Sequence, residues 1–454
     1  MNREHRLKFF NQNNFEQISQ INEFLSSSEK FAIKVVSQIF PFRTNNYVVD
    51  ELINWKNIPE DPMYQLTFMQ KGMLPSHLYE RMANAMQTAE SQEDIANVAR
   101  EIREQMNPHP GHQKLANVPH LNGKPVPGLQ HKYRETALVF PSKGQTCFAY
   151  CTFCFRWAQF IGEVDLKFST DKELTFLDYL KEHKEVTDVL FTGGDPMVMN
   201  LRGLEKFILP LLQPEFDHIK NIRIGSKVLA YWPYRFVTDP DSEQLLNLFE
   251  KVITSGKNLA FMAHYNHWVE LETEIHDEAV QRLKKIGVTI RTQSPILKHI
   301  NNSANAWAKM WMKQVEAGMF PYYMFVERDT GPNYYFEMPL AEITKIFREA
   351  YNQISGLART VKGPVMSTTA GKIAVNGITE IKGERVFALS FVQGRNPDWV
   401  GVPFFAKYDE DAKWINDLKP AFGEDKFFFE EELEEILNDK WRAMQDDQFI
   451  DYVA

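Results

Sequence analysis

The chain has 454 residues, 44% of them hydrophobic and 24% charged, a balance that excludes a disordered or fibrous protein over most of its length and, at about 100–200 residues per domain, allows two to four structural units. Sixty acidic side chains against 51 basic ones give a net charge of −9, so the whole surface does not act as a field for phosphate backbones and no nucleic-acid partner is expected. No stretch approaches the ~18 consecutive apolar residues of a membrane span, and MNREHRLKFF has no apolar run behind its charges, so the expectation is a cytoplasmic protein with no membrane partner.

Residues 1–105 read as a polar helical region, with apolar positions at helical spacing in FEQISQINEFL and in HLYERMANAMQTAESQEDIANVAREIREQM, interrupted by IPEDPMYQLTF. Residues 106–136 are rich in Pro, Gly, Asn and His and read as a connecting arm, in which His109 and His112 are solvated loop residues. From 137 to 355 short β-branched or aromatic runs alternate with amphipathic helices, the pattern of βα units on a parallel sheet. Six strands are expected, at 137–142, 187–193, 221–226, 258–264, 288–294 and 321–327. Residues 356–454 read as an extension of loops and strands, a small appendage, ending in an acidic amphipathic helix within FFFEEELEEILNDKWRAM.

The three cysteines of the chain all fall within eight positions, as Cys147, Cys151 and Cys154. An odd number, crowded in this way in a reducing compartment, points to metal or redox chemistry and not to a disulfide framework. Their spacing, C-x3-C-x2-C after the first strand, suits an iron–sulfur cluster whose fourth iron is left open to a small molecule. A zinc site completed by His131 and three buried structural cysteines are the competing readings. At the end of the second strand, Gly193, Gly194 and Asp195 of FTGGDP combine glycines that let backbone approach a ligand with a carboxylate that can pair with an ammonium group; a lone GGD is otherwise a turn.

The cysteine spacing, the six units and the GGD segment resemble the radical S-adenosylmethionine (SAM) superfamily. Further segments, in order along the chain, resemble its lysine 2,3-aminomutase branch: PVPGLQHKY (125–133), CFAYCTFCFR (147–156), FTGGDP (191–196), IRIGSK (222–227), HYNH (264–267), TQSPILKHINN (292–302), PYYMF (321–325) and AGKIAVNG (370–377). The resemblance implies a partial (β/α)6 barrel, a 4Fe-4S cluster on the three cysteines, and SAM held by Gly193, Gly194 and Asp195, with Ser226, His264 and Gln293 around its nucleoside. It implies pyridoxal phosphate carried by Lys372, with Lys362 as the fallback, a substrate carboxylate met by Arg156, and a flavodoxin or ferredoxin as electron donor. Self-association is left open.

Several positions depart from that branch. Thr136 and Phe153 stand where phosphate partners are expected, leaving Lys132 and Arg134 as substitutes. Where the lysine enzymes place two aspartates for the side-chain ammonium, this chain has Arg328, with Asp329 one residue on, and Val365. The expectation is therefore a 2,3-amino migration in an α-amino acid other than lysine, with Arg328 and Asp329 at the substrate. The alternatives are a radical enzyme that uses no pyridoxal phosphate and modifies a protein, RNA or other small molecule, and a cluster protein for electron transfer or sensing.

Overall fold

The computed structural model describes residues 6–108, 116–161, 168–170 and 173–447; His109 and His112 lie outside them. All six expected strands are present: β6 (Thr136–Val139), β7 (Asp188–Phe191), β8 (Asn221–Ser226), β9 (Asn258–His264), β10 (Thr289–Pro295) and β11 (Phe320–Phe325). Each is hydrogen-bonded in parallel to the next, which requires a crossover between them. Amphipathic helices such as Ser242–Thr254 supply it, burying Leu245, Leu248, Phe249 and Val252 at helical spacing. Each such side chain contributes roughly 1.5–3 kcal/mol by leaving water.

The parallel run does not stop at six. A seventh strand, β12 (Lys362–Ser367), continues it beside β11. The hairpin β13 (Gly371–Ile381) and β14 (Glu384–Gly394), followed by β15 (Pro403–Lys407), then extends the same sheet in antiparallel order. The C-terminal extension, expected as a small appendage of loops and strands, is thus continuous with the sheet. At the opposite edge β5 (Leu129–Tyr133), expected as part of an unpacked arm, pairs antiparallel with β6. The complete order runs from β15 through to β5 without a break, eleven strands among the described residues.

The N-terminal region is less uniformly helical than its periodicity predicted. The segment 77–106 is two helices, Ser76–Thr88 and Gln92–Gln105. They part at Ser91, whose side chain forms a capping box with Asp94 and starts the second helix afresh. Two short strands, β1 (Phe9–Asn11) and β2 (Arg43–Asn45), pair with each other; among the described residues, the strands between β2 and β5 are the two-residue hairpin strands β3 (His120–Leu121) and β4 (Lys124–Pro125). The C-terminal helix spans Glu430–Asp447, with Phe427 and Phe429 just before it buried against Phe391 and Phe404. Among the described residues no helix is long and apolar enough to cross a membrane.

Candidate functional site

The loop that follows β6 carries the three cysteines, and its backbone is fixed from outside. Tyr150 N–H donates to the Arg43 carbonyl (2.8 Å) and Thr152 N–H to that of Leu66 (3.0 Å). Asn45 Nδ2 donates to the Phe148 carbonyl at 3.0 Å. Burial pushes all three thiols up, Cys151 to about 11 and Cys154 to about 12. Cys147 and Cys154 each feel the charge of Cys151 as well, so the three sulfurs face a common space. Among the described residues no three His, Cys, Asp or Glu side chains converge tightly enough for a single metal ion. Thiolates on separate irons of a cluster stand farther apart than ligands of one ion, so this donor set suits a cluster better than a lone zinc.

The GGDP segment is packed onto that loop. Asp195 N–H donates to the carbonyls of Gly144 (3.0 Å) and Thr146 (2.7 Å). A Cβ on Gly194 would stand 2.4 Å from the Thr146 carbonyl oxygen, and Gly193 has a φ of +147° with the Gln145 side chain against it. Gly194 therefore admits a neighbouring backbone and Gly193 a neighbouring side chain, a structural use distinct from ligand approach. We expect Gly194→Ala to lower stability by about 1–3 kcal/mol, as overpacking does, seen as an earlier thermal melt together with poorer iron retention. The Asp195 carboxylate is buried and accepts from Ser226 Oγ (2.7 Å), Met197 N–H (2.9 Å) and Lys227 N–H (2.9 Å). Burial nonetheless pushes it up to about 6. Ser226 is thereby tied to Asp195, joining the ends of β7 and β8.

His264 ends β9, and Gln293 on β10 is its register partner. Phe153 lies edge-on to the His264 ring at 5.9 Å. Burial, with Lys227 nearby, pushes His264 down to about 3, so the imidazole is neutral. Its Nε2 is buried without a partner, as are Arg156 Nε and Arg328 Nη1; these are three of the five such atoms among the described residues. Buried polar atoms are rarely left unpaired, so each of these three keeps bonding capacity that a bound group could meet. His267, by contrast, caps the turn at Trp268–Leu271 through Val269 N–H.

Lys372 stands at the start of β13 and not on a loop, paired in register with Ser367 of β12. Its Nζ donates to Gln393 Oε1 (2.5 Å) and lies over the rings of Tyr133 (5.2 Å) and Tyr323 (5.0 Å). Burial, with Arg223 beside it, pushes the ammonium down to about 7. Arg328 bridges the end of the neighbouring β12 and the cysteine loop: Nη2 donates to the Ser367 carbonyl (3.0 Å) and hydroxyl (3.1 Å), while the guanidinium covers Phe155, the residue after Cys154, at 4.6 Å. Lys132 on β5 donates to the Thr368 carbonyl and is pushed well down by burial and by Arg395, Arg328 and Lys372 around it. Arg395, which no sequence signal singled out, bonds the Thr369 and Ala116 carbonyls and Asn117 Oδ1. Asp188 lies near Lys372, and Glu327 and Asp329 near Arg328, but four cations crowded together still favour an anion between them.

The Lys372 amine gives a pH dependence of stability. The unfolded chain holds its proton up to the ordinary value of 10.5, the folded one only to about 7. The cost of burial is therefore full below pH 7 and fades as pH rises from 7 toward 10.5. Lys372→Met is expected to resist urea better than the native chain at pH 6, with the gap narrowing by pH 9.

Not every expected residue joins the site. Asp329 is exposed while Arg328 turns inward, so the one-residue slip that would bring a carboxylate into register is not taken. Arg134 is turned outward beside Glu135, so of the two substitutes only Lys132 faces the basin. The fallback Lys362 is exposed, and Val365 is fully buried between strands. Arg156 covers the Phe140 ring at 4.4 Å and donates to Gln145 Oε1 and Gln159. Burial lowers it to about 10, which leaves it charged at neutral pH.

A curated relative from Aquifex aeolicus (strain VF5), described as a putative L-lysine 2,3-aminomutase, is 32% identical over 405 residues, covering 89% of this chain and 94% of its own length. L-lysine 2,3-aminomutase from Escherichia coli (strain K12) is 29% identical over 248 residues, 54% of this chain and 68% of that protein. The enzyme of the same name from Clostridium subterminale is 30% identical over 201 residues, 44% of this chain and 45% of that protein. No family model matches the chain.

Proposed function

The chain belongs to the lysine 2,3-aminomutase family of radical SAM enzymes, and from that premise we propose that it catalyses a pyridoxal phosphate-dependent 2,3-amino migration in an α-amino acid with an acidic side chain, not in lysine. The observation that carries the reading is the bridge made by Arg328, which joins the cysteine loop to Ser367 on β12, the register partner of Lys372 on β13, and leaves its buried Nη1 unpaired. When bound, the cluster and SAM supply one-electron hydrogen abstraction from an unactivated C–H bond, and pyridoxal phosphate supplies the conjugated system across which an amino group moves.

The residues present suit these groups. Cys147, Cys151 and Cys154 would hold the cluster, and the unpaired His264 Nε2 and Arg156 Nε, with Gln293 and the Asp195 segment, would hold SAM and the substrate carboxylate. Lys132 and Arg395 would take the phosphate, doing the work of the partners missing at Thr136 and Phe153. An anion there favours the charged form of Lys132, reversing part of the desolvation that holds it down. Lys372, half neutral near pH 7, offers a nucleophilic amine where an exposed lysine would be almost wholly protonated. The reading further assigns the parallel strands to a partial (β/α)6 barrel and the single electron to a flavodoxin or ferredoxin.

The test is borohydride reduction of anaerobically purified protein supplied with pyridoxal phosphate, followed by mass mapping. A stable phosphopyridoxyl adduct on Lys372 is expected. An intact cluster with no adduct would instead support a radical enzyme without pyridoxal phosphate, an alternative that draws on the buried Phe153 packed against His264 and Phe336.

A further inference from the structure

Of the three thiols, Cys151 has a side-chain hydroxyl against it: Tyr231 Oη lies 3.3 Å from its sulfur. While the cysteine is a thiol either group can donate, but once iron takes the sulfur as thiolate only the tyrosine can. Tyr231 ends the short helix Val228–Tyr231 that follows β8 and is buried. Its carbonyl accepts from Asn45 Nδ2 (3.0 Å), so the ring cannot drift from the loop without breaking that tie.

A cation is set on this ring. Lys227 Nζ lies 4.5 Å from the Tyr231 centroid. It is fixed there by Glu270 Oε1 (2.5 Å), Asn266 Oδ1 (3.0 Å) and the His264 carbonyl (3.2 Å). Glu270 is fully buried, and its other oxygen accepts from the Asn266 and His267 N–H groups (2.5 and 2.9 Å). An ammonium over a phenol ring draws electron density from it and makes its O–H a stronger donor. In a dry site such a chain of polarised bonds strengthens along its length.

We infer that Tyr231, backed by Lys227, is a positioning residue that raises the reduction potential of the cluster by donating a hydrogen bond to the Cys151 thiolate. The inference rests on the reading of the three cysteines as cluster ligands. A reduced cluster carries one more negative charge, so a donor aimed at its sulfur stabilises the reduced form more than the oxidised one. A purely structural role, tying the ends of β8 and β9 together, would leave that potential unmoved.

The test is a mediated potentiometric titration, read by electron paramagnetic resonance, of the full-length protein reconstituted anaerobically with iron and sulfide. Tyr231→Phe keeps the ring and its packing and removes only the hydroxyl. Its midpoint is expected to fall, the oxidised-to-reduced ratio at a fixed potential rising about tenfold, or ~59 mV for one electron. Lys227→Met is expected to shift it in the same direction by less. An unchanged midpoint in Tyr231→Phe with full iron content would overturn the inference and leave the cluster assignment standing. Native protein that takes up no cluster would overturn both.

Discussion

Lys372→Met is expected to abolish the amino shift, with turnover falling at least about 10^3-fold, while the protein keeps its iron and still cleaves SAM when reduced. Methionine approximates the length and volume of the lysine stem, so the packing between Tyr133 and Tyr323 survives. What disappears is the amine, and with it, in the proposed role, both the covalent anchor and the placement of the substrate nitrogen, effects worth several kcal/mol of barrier. The separation of the two activities is the informative part. Lys372 lies on β13, whereas the cysteines and the Asp195 segment lie on loops after β6 and β7, so the variant should not disturb the SAM side of the site. If the variant still shifts the amino group, Lys372 is not the anchor. An adduct then found on Lys132 would transfer the role to β5.

Arg328→Met should separate substrates by their side-chain charge. Truncating one partner of a buried, hydrogen-bonded charge pair costs about 2–5 kcal/mol, roughly thirty- to several-thousand-fold in kcat/KM for an acidic amino acid. A neutral amino acid of similar length should lose far less, because it never engaged the unpaired Nη1. The fold should tolerate the change, since methionine can rest on the Phe155 ring that the guanidinium now covers. Equal losses for both substrates would mean that Arg328 holds a group common to them, the α-carboxylate or the phosphate. Lysine as the preferred substrate of the native protein would end the acidic-substrate reading outright.

Much of this architecture was legible because each strand from β6 to β11 is a short apolar run followed by a helix with its own 3.6-residue stripe. The cysteines were legible through their spacing. The continuation of the sheet through β12–β15 was not, since glycines in AGKIAVNG and FVQG signal turns as readily as they signal the bulged, twisted strands in which they lie. The helix break at Ser91 was missed because each half carries apolar positions at helical spacing, and the shift of phase between the two stripes, with the Ser91-x-x-Asp94 cap, was passed over. Arg395, Lys227 and Tyr231 could not be read from the chain at all. Each owes its importance to what lies across from it, and a lone arginine, lysine or tyrosine carries no local signal of that. Arg328 was singled out by comparison of register, but only the structure distinguishes its inward course from the outward one of Asp329.

The cysteine loop is tied to residues 43–66, with Asn45 bonded to Phe148 across 103 positions and Thr152 to Leu66 across 86. This dictates an order of assembly. During synthesis the early segment emerges first and must wait for the loop to be made, and contacts so distant in sequence are among the slower ones to form. Until they form, three thiols sit on an unshaped loop, open to oxidation and to stray metals. Productive loading with iron and sulfide is therefore expected to follow docking of the N-terminal region, and cluster components supplied before the chain closes are expected to fill the loop wrongly. Protection of the Tyr150 and Thr152 amides from hydrogen exchange in the metal-free protein would mark the moment at which a chain becomes ready to be loaded.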